Sequence, residues 1–304
     1  MVVPFGDDIS AFEFETGKLF VLKTDMLVDK TDVPPRMDLW QAARKAVVMN
    51  VSDFAAKGVK PEAVLVSLGL PRNLTEKDVA EIGSGLNAGA RQYGAYVVGG
   101  DTGEASDLVI SVSLFGLAKK NGLMLRRGAK PGDILAVTGV FGKTSAGIKI
   151  LVDHFEAPKN MSKIFVDSVL MPQARLKEGL ALACTGAVTA AIDSSDGLAW
   201  SLHEIARASN VGMLVNSLPI ADEVERFALI NKLVSSDLVL YGGEEYELVL
   251  AIKPRSWNAA EKAVSRVGGK LLAIGKVTAS KEMLLKSREK RTPIEPKGYE
   301  HFKT

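Results

Sequence analysis

The chain has 304 residues, 47% of them hydrophobic, which is enough for two domains with substantial cores. Its 38 basic and 36 acidic residues leave a net charge of +2, and with 6% aromatic residues this composition does not favour a nucleic-acid surface. The single cysteine, Cys184, excludes an intramolecular disulfide and suits a reducing compartment, and its apolar neighbours predict a core thiol. Because the sequence opens without a basic and apolar leader and has no apolar run of about 18 residues, we expect a cytoplasmic protein without a membrane span.

Strand-like and helix-like patterns alternate through the first half of the chain. In order, they predict a strand at 18–24 that ends at Asp25, a helix at 39–58, a strand at 63–68, a helix at 75–93, a strand at 95–98 and a strand at 108–117. The short strand at 95–98 leads into Gly99-Gly100-Asp101-Thr102, which we interpret as a turn. Asp101 would therefore lie at the carboxyl end of a strand, where ligand groups gather in open α/β sheets.

Composition breaks at 119–122 and 126–133 indicate a domain boundary, so we expect domains at 1–122 and 123–304. The second half predicts a strand at 134–138, helices at 143–154 and 175–184, a strand at 187–192, a helix at 198–208, strands near Met213 and at 247–252, a helix at 257–267 and a strand at 270–277. Both halves are therefore of the α/β or α+β class.

Seven acidic residues lie in short segments that carry glycine, serine or threonine: Asp7, Asp8, Asp25, Asp53, Asp101, Asp193 and Asp196. Two unit charges about 4 Å apart repel by about 4 kcal/mol at an effective dielectric constant of about 20, so a cluster of such carboxylates requires cations. Magnesium prefers oxygen ligands and commonly shares its coordination sphere with substrate phosphates. The acids therefore predict a magnesium site that serves a nucleotide.

Two other segments are candidate ligand contacts. Two glycines before Glu244 allow the backbone to approach a ligand closely, which favours a functional role over a solvated edge. Gly142-Lys143-Thr144 ends like a P-loop, but Val137 stands where that motif needs glycine, so the segment is either a plain strand-to-helix turn or a phosphate contact through Lys143. The histidines lack metal-ligand spacing, which argues against zinc; they are His154, His203 and His301.

Taken together, the motifs resemble the thiamine-monophosphate kinase family, within the group that includes aminoimidazole-ribonucleotide synthetases. The matching segments span nearly the whole chain: Gly6-Asp7-Asp8, Thr24-Asp25-Met26-Leu27-Val28, Asn50-Val51-Ser52-Asp53, Val98-Gly99-Gly100-Asp101-Thr102, Arg127-Gly128-Ala129-Lys130-Pro131-Gly132-Asp133, Asp193-Ser194-Ser195-Asp196-Gly197-Leu198, Gly242-Gly243-Glu244-Glu245-Tyr246-Glu247-Leu248 and Lys297-Gly298-Tyr299. The chain departs from the usual family pattern at Lys23, Ser194, Glu245 and Asp32, the last standing where a substrate-contacting histidine is usual.

The resemblance implies roles for residues that the motifs alone leave open. Magnesium ions would be held by Asp8, Thr24, Asp25, Asp53, Asp101, Asp193 and Asp196. The nucleotide would contact Gly100, Arg126 and Ser195, and the thiamine substrate would lie against Asp32, Glu244 and Tyr299. The resemblance also implies a homodimer in which two N-terminal sheets pair into a β-barrel, with a C-terminal α/β domain alongside each.

The predicted reaction is ATP-dependent phosphorylation of thiamine monophosphate to thiamine diphosphate by direct in-line transfer. Such a transfer needs positioning and charge neutralisation more than a nucleophile, so no catalytic side chain is predicted. Two alternatives remain: a synthetase-type relative that activates another acceptor with ATP, and a nucleotide-binding regulator without catalysis. ATP and thiamine monophosphate are the expected partners.

Overall fold

The computed structural model describes residues 1–14, 17–287 and 290–300, and His301 therefore lies outside the described residues. The first half is built from β1 (Ser10–Phe14), β2 (Lys18–Val28), α1 (Asp29–Asp32), α2 (Leu39–Lys57), β3 (Lys60–Leu70), α3 (Glu76–Gln92), β4 (Tyr96–Glu104) and β5 (Val109–Lys119). Within the described part of this half, the strands form one sheet in the order β1-β2-β5-β3-β4. Only β3 and β4 run parallel; the other neighbours are antiparallel.

One face of this sheet is covered by helices and the other is open. Along β2, Leu19, Val21 and Leu27 are fully buried on the inner face, which packs against α2. The residues between them point to the opposite side, because successive side chains of a strand alternate. Leu22 and Met26 on that open face are 45% and 58% exposed.

Two strands run further than the sequence predicts. β2 continues through Asp25 to Val28, since all of its residues pair with β5. β4 continues through the glycines to Glu104, because β3 supplies a parallel partner along this whole stretch. The predictions that Asp25 and Asp101 follow strand ends are therefore wrong; both lie within strands.

Helix α2 is capped at both ends. Asp38 accepts a 2.7 Å hydrogen bond from the Gln41 amide while the Gln41 side chain accepts from the Asp38 amide, which is a capping box. Gly58 closes the helix in the left-handed conformation, at φ 67°. The predicted helix at 75–93 is confirmed as α3, again with a capping box, between Thr75 and Asp78.

The second half contains β6 (Ile134–Val137), α4 (Lys143–Leu151), α5 (Lys159–Leu170), α6 (Leu176–Ala183), β7 (Val188–Asp193), α7 (Leu198–Ser209), β8 (Gly212–Val215), α8 (Asp222–Asn231), α9 (Ser235–Tyr241), β9 (Leu248–Ile252), α10 (Trp257–Arg266), β10 (Leu272–Thr278), β11 (Met283–Ser287) and β12 (Lys290–Pro293). Over the described residues its sheet has the order β12-β11-β8-β10-β6-β9-β7, with β8 and β11 parallel and the other neighbours antiparallel. The chain thus has a two-domain α/β fold with mixed sheets.

Helices α2 and α6 pack closely against each other and so connect the two halves. A Cβ atom on Gly179 would lie 2.0 Å from the carbonyl oxygen of Ala55, and one on Gly58 would lie 2.3 Å from Ala183 Cβ. The buried ammonium of Lys57 crosses the same boundary and donates a 2.7 Å hydrogen bond to the carbonyl oxygen of Ala191 in β7. This contact brings α2 and the end of β7 together.

Cys184 is exposed, so the prediction of a core thiol is wrong. The residue follows α6, and the face of that helix that enters the core carries Leu176, Gly179 and Leu182 instead. Within the described ranges, no helix combines the length and apolar character needed to cross a membrane.

Candidate active site

Three buried carboxylates meet where the two halves join. Single oxygen atoms from Asp8, Asp53 and Asp193 lie within 4.8 Å of one another, and these residues are 3%, 6% and 4% exposed. Asp8 comes from the N-terminal segment, Asp53 from α2 and Asp193 from the last position of β7. We call these three residues the acidic cluster.

Asp8 has two cationic partners. The ammonium of Lys57 lies 2.6 Å from its Oδ2 and 2.8 Å from Asp7 Oδ1, and the guanidinium of Arg126 donates from Nε to Asp8 Oδ1 at 2.5 Å. Burial alone would raise the pKa of Asp7, but Lys57 outweighs it and holds that pKa below its usual value. Burial likewise opposes the charge of Arg126, yet Asp8 raises the pKa of the guanidinium. This side of the cluster is balanced in charge.

The other two members of the cluster have fewer partners. Asp53 pairs with Lys23 at 2.9 Å, and the Ser52 hydroxyl donates a 2.7 Å hydrogen bond to Asp193 Oδ2. Burial, followed by the charge of Asp193, raises the pKa of Asp53 well above its ordinary value. Burial and the charge of Asp8 raise the pKa of Asp193 to about 7. In the part of the chain that the structure describes, the ion-pair partner of Asp53 is Lys23, so the carboxylates on this side of the cluster outnumber the cations, as in a cation-binding site.

Lys23 connects the cluster to a fourth carboxylate. Its ammonium lies 3.1 Å from Asp25 Oδ1 as well as 2.9 Å from Asp53 Oδ2. Burial disfavours the ammonium, but Asp53 and Asp25 outweigh that effect and raise the pKa of Lys23 above its usual value. Lys23 and Asp25 both lie on the inner face of the sheet, two residues apart in β2.

A cavity of about 520 Å³ opens beside the cluster. Its lining includes six of the predicted site residues: Asp25, Asp53, Arg126, Asp193, Ser195 and Asp196. Trp200 and Glu204 of α7 also line it, and Arg126 Nη1 reaches Glu204 at 3.2 Å. The cavity thus combines carboxylates, a guanidinium and an indole, a set suited to a metal-bound nucleotide.

The three residues predicted at the thiamine substrate lie close together. Lys45, which is 1% exposed, holds two of them, since its ammonium donates to the backbone oxygen of Asp32 at 2.7 Å and pairs with Glu244 Oε1 at 2.5 Å. Burial and then the charges of Asp32 and Glu244 raise the pKa of Tyr299, which remains 46% exposed. The Tyr299 amide donates to the backbone oxygen of Asp196, a residue of the cavity lining, at 3.0 Å, whereas Glu244 lines a second cavity of about 320 Å³.

A strained loop connects the two groups. Glu244 and Tyr246 adopt left-handed backbone conformations, with φ 63° and 52°, although neither is glycine. Their amides donate to the backbone oxygens of Ser195 and Ser194 at 2.6 and 3.0 Å. A Cβ atom on Gly243 would lie 2.6 Å from the oxygen of Ser195, so glycine is required for this close approach. Tyr246 is buried and lines the cavity.

Gly142-Lys143-Thr144 forms the strand-to-helix turn that opens α4, with Gly142 at φ 96°. The amides of Gly142 and Thr144 donate to Glu245 Oε1 at 2.5 and 3.3 Å, so a carboxylate of the chain occupies this helix start. Burial raises the pKa of Glu245 to about 7, against these hydrogen bonds. The structure favours the turn over a phosphate contact, and Lys143 lines a separate cavity of about 320 Å³.

Thr24, Gly100 and Asp101 lie away from the cavity, at the open face of the sheet. Thr24 follows Lys23 in β2, so strand alternation directs its side chain opposite to Asp25, where Ser113 Oγ donates to it at 3.0 Å. Asp101 is paired with Ser67 in β4, a strand whose residues are all exposed. In the single chain, therefore, these residues do not join the acidic cluster.

Several residues near the cavity are not among the predicted site residues. Lys45 and Lys57 lie on α2 among apolar residues and resemble ordinary surface lysines of a helix, although both are buried. Trp200 and Glu204 lie one turn apart on α7, and Tyr246 follows the predicted Glu244. The one usable signal was the pair of lysines on the apolar face of α2, because a lysine there requires a buried anionic partner.

Comparison with known proteins identifies the family. Two family models match the chain: the N-terminal domain of AIR synthase related proteins at residues 6–118 and the corresponding C-terminal domain at residues 130–286. The thiamine-monophosphate kinase of Nitrosopumilus maritimus is 35% identical over 98% of this chain and 93% of the relative. That of Pyrococcus horikoshii is 35% identical over 98% and 91%. The chain belongs to the thiamine-monophosphate kinase family.

Solved structures of the family have the same fold. A structure described as AaThiL complexed with AMPPCP and TMP has a TM-score of 0.87 and 27% sequence identity, and the match covers 98% of this chain and 92% of that one. The likeness to the thiamine-monophosphate kinase family therefore extends through both domains and includes the segments that form the acidic cluster.

Proposed function

We propose that this protein transfers the γ-phosphoryl group of ATP to the phosphate of thiamine monophosphate and so produces thiamine diphosphate. The family relationship supports this reaction, since relatives that align over nearly the whole chain are thiamine-monophosphate kinases. The structure described with AMPPCP, an ATP analogue, and TMP supports ATP as the co-substrate. The cytoplasm, where thiols stay reduced, is the compartment we propose.

The observation that carries the proposal is the short segment Ser195-Asp196, which lies between two groups of polar residues. Both residues line the 520 Å³ cavity, which also holds Asp53, Asp193 and Arg126, a set that suits a triphosphate. The amides of Glu244 and Tyr299 donate to the backbone oxygens of Ser195 and Asp196, and Glu244 lines the neighbouring cavity of about 320 Å³. A donor phosphate and an acceptor phosphate would therefore meet at this segment.

The donor set fits magnesium. Asp8, Asp53 and Asp193 supply oxygen ligands within 4.8 Å of one another, and burial, followed by repulsion from a neighbouring carboxylate, raises the pKa values of Asp53 and Asp193, a cost that a bound cation would offset. We propose that these residues, with Asp25 and Asp196, hold magnesium. When bound, the metal supplies charge neutralisation for the phosphate oxygens.

The side chains of the protein position the reacting groups. Arg126, held by Asp8 and Glu204, presents a fixed guanidinium to phosphate oxygens at the cavity wall. Lys45 holds Glu244 in place for the acceptor. Because the second pKa of a phosphate monoester is about 6, the acceptor is already ionised near pH 7, and no general base is needed for an in-line attack.

We further propose a homodimer built on the open face of the five-stranded sheet. This face exposes Leu22, Met26, Leu65 and Val98, which are 45–61% exposed, and β4 leaves one edge unpaired within the described residues. Pairing two such sheets would form the barrel that the family resemblance implies. It would also place Thr24, Gly100 and Asp101 of domain 1–122 against a second chain, which is where their proposed metal and nucleotide contacts would arise.

ADP release by the purified protein tests the reaction. We expect thiamine monophosphate to stimulate ADP release in the presence of ATP and magnesium, with one thiamine diphosphate formed for each ADP. If ATP binds but thiamine monophosphate neither stimulates release nor gains a phosphate, the acceptor is wrong, and a synthetase-type reaction or a regulatory role would take its place.

A further inference from the structure

The position of Lys23 on the inner face of β2 carries a further inference about the metal requirement. Its strand neighbours on this face, Leu19, Val21 and Leu27, are fully buried, so an apolar residue would fit the pattern. The structure instead places an ammonium group among carboxylates, with 18% of the side chain exposed. A buried lysine is costly unless it is paired, so this residue requires an explanation.

The ammonium of Lys23 lies between Asp25 and Asp53. It is 3.1 Å from Asp25 Oδ1 and 2.9 Å from Asp53 Oδ2. A divalent ion held between the same two residues would lie close to this ammonium, and the two positive charges would repel each other. Lys23 therefore disfavours a divalent ion at this position.

The charges around Asp53 show why a cation is needed there. Asp53 is buried beside Asp8 and Asp193, the other members of the acidic cluster. Among the described residues, the ion-pair partner of Asp53 is Lys23. Lys57 and Arg126 instead pair with Asp8. Without Lys23, Asp53 and Asp25 would both lack a cationic partner.

We infer that Lys23 is a tethered cation that takes the place of one divalent ion between Asp25 and Asp53. The inference rests on the proposed function only in so far as the cavity binds a metal-bound nucleotide; it does not depend on the acceptor. Lys23 is a positioning residue, because it acts by holding these two carboxylates rather than by contacting the reacting atoms. The chain then binds one divalent ion fewer than a variant that lacks the ammonium group.

Counting bound Mn²⁺, used in place of magnesium, tests this inference. Electron paramagnetic resonance measures the free Mn²⁺ while the full-length protein is titrated in the presence of AMPPCP and without thiamine monophosphate. Lys23→Met keeps most of the aliphatic stem on the apolar face but removes the charge. We expect this variant to bind one more Mn²⁺ per chain than the original protein, whereas Lys23→Arg, which keeps the charge, binds the original number.

Two controls separate this role from a structural one. Lys60, which pairs with Glu62 at 3.4 Å and is 55% exposed, offers a matched lysine outside the cavity, and we expect Lys60→Met to leave the Mn²⁺ count unchanged. If Lys23→Met is poorly folded without metal, thermal melting provides a second readout: Mn²⁺ should raise its melting temperature more than that of the original protein. The double variant Lys23→Met/Asp25→Asn removes one charge of each sign and should return to the original count.

An unchanged Mn²⁺ count in Lys23→Met, with an equal shift in melting temperature, would overturn the inference. So would the absence of bound Mn²⁺ from both the original protein and this variant. Failure of the proposed reaction looks different: the protein would bind AMPPCP and Mn²⁺ with the expected counts, yet thiamine monophosphate would not stimulate ADP release from ATP.

Discussion

Two buried carboxylates in this protein, those of Glu247 and Asp193, have opposite electrostatic surroundings. Glu247 is 3% exposed, and its carboxylate accepts two hydrogen bonds from the Arg175 guanidinium, at 2.9 and 2.5 Å, and one from the Thr138 hydroxyl at 2.7 Å. Asp193 is 4% exposed, and its carboxylate accepts one hydrogen bond, from Ser52, beside two other carboxylates. Glu247 has its counter-ion within the chain, whereas Asp193 needs one from outside.

Burial alone therefore does not distinguish a structural carboxylate from a functional one. The distinction lies in whether the chain itself supplies enough positive charge and hydrogen-bond donors. Glu245 is intermediate, because its carboxylate accepts hydrogen bonds from the neutral amides at the start of α4, and its pKa is raised to about 7. The following substitutions test this order.

Asp193→Asn is expected to have the largest effect. Turnover should fall roughly 10³-fold, about 4 kcal/mol, because the variant loses a ligand charge needed to hold metal beside the transferred phosphate. The metal-free variant should nevertheless unfold at a higher urea concentration at pH 8, since one of three repelling carboxylates has become neutral. Steady-state ADP release and urea unfolding measure the two effects.

Asp133 provides the matched control for this experiment. It is 5% exposed, and its Oδ2 accepts hydrogen bonds from the Lys130 amide and the Thr189 hydroxyl, outside the cavity. Asp133→Asn should lower the free energy of unfolding while the folded protein keeps its turnover. Full turnover in Asp193→Asn would contradict the assignment of the acidic cluster.

Arg175→Met should give the next largest effect, on stability. The free energy of unfolding should fall by about 3 kcal/mol, because Glu247 keeps its buried charge without its partner. Arg175→Lys keeps a positive charge but loses the paired geometry, so its loss should be smaller. Urea unfolding at pH 7.5 measures both; equal stability of the original protein and Arg175→Met would show that Glu247 does not depend on this ion pair.

Glu245→Gln should change the pH dependence of stability. The pKa of about 7 in the folded protein exceeds the ordinary value of 4.5, so the folded chain binds this proton more tightly than the unfolded chain. The resulting stabilisation is complete below about pH 4.5 and is lost as the pH rises to about 7.

The substitution removes this titration, so the free energy of unfolding should vary less between pH 4.5 and 7, by on the order of 2 kcal/mol. Urea unfolding across this range measures the difference. Glu62→Gln, which alters an exposed carboxylate, should keep the original pH profile. If the stability of Glu245→Gln depends on pH in the same way as that of the original protein, Glu245 is charged throughout this range.

Thr144→Val should have the smallest effect. The Thr144 hydroxyl donates a 2.8 Å hydrogen bond to the backbone oxygen of Gly243, which fixes the strained loop against α4. Losing this bond should cost about 1 kcal/mol of unfolding free energy in urea, and Thr144→Ser should retain most of it. Full stability of Thr144→Val would show that the hydrogen bond contributes nothing, and a loss in Thr144→Ser as large as that in Thr144→Val would show that the methyl group contributes as much as the bond.

Much of the element order follows from local patterns in the sequence. Apolar periodicity predicts that α2 begins near Leu39, the capping box at Thr75 predicts where α3 begins, and the glycine at position 58 predicts where α2 ends. These signals act within a few residues, so they can be read without knowledge of the fold. The local patterns do not predict helices α1, α5, α8 and α9 or strands β1, β11 and β12.

The lengths of β2 and β4 required the tertiary structure. Gly99 and Gly100 indicate a turn when only their neighbours are considered. β4 nevertheless passes through them, because β3 offers it hydrogen-bonding partners from Ala63 to Leu70. A Cβ atom on Gly100 would lie 1.8 Å from the carbonyl oxygen of Val66, so this glycine serves strand packing.

The order of the residues limits the chemistry available to this protein to that of a set of aspartates poor in histidine, in a series that matches the thiamine-monophosphate kinase family. The fold brings some of these aspartates together and keeps others apart. Asp8, Asp53 and Asp193 meet because α2 packs against the end of β7, while Thr24 and Asp101 face the open side of the sheet. It also placed the Lys23 ammonium between Asp25 and Asp53. Such pairings join residues far apart in the chain, so no local pattern can specify them.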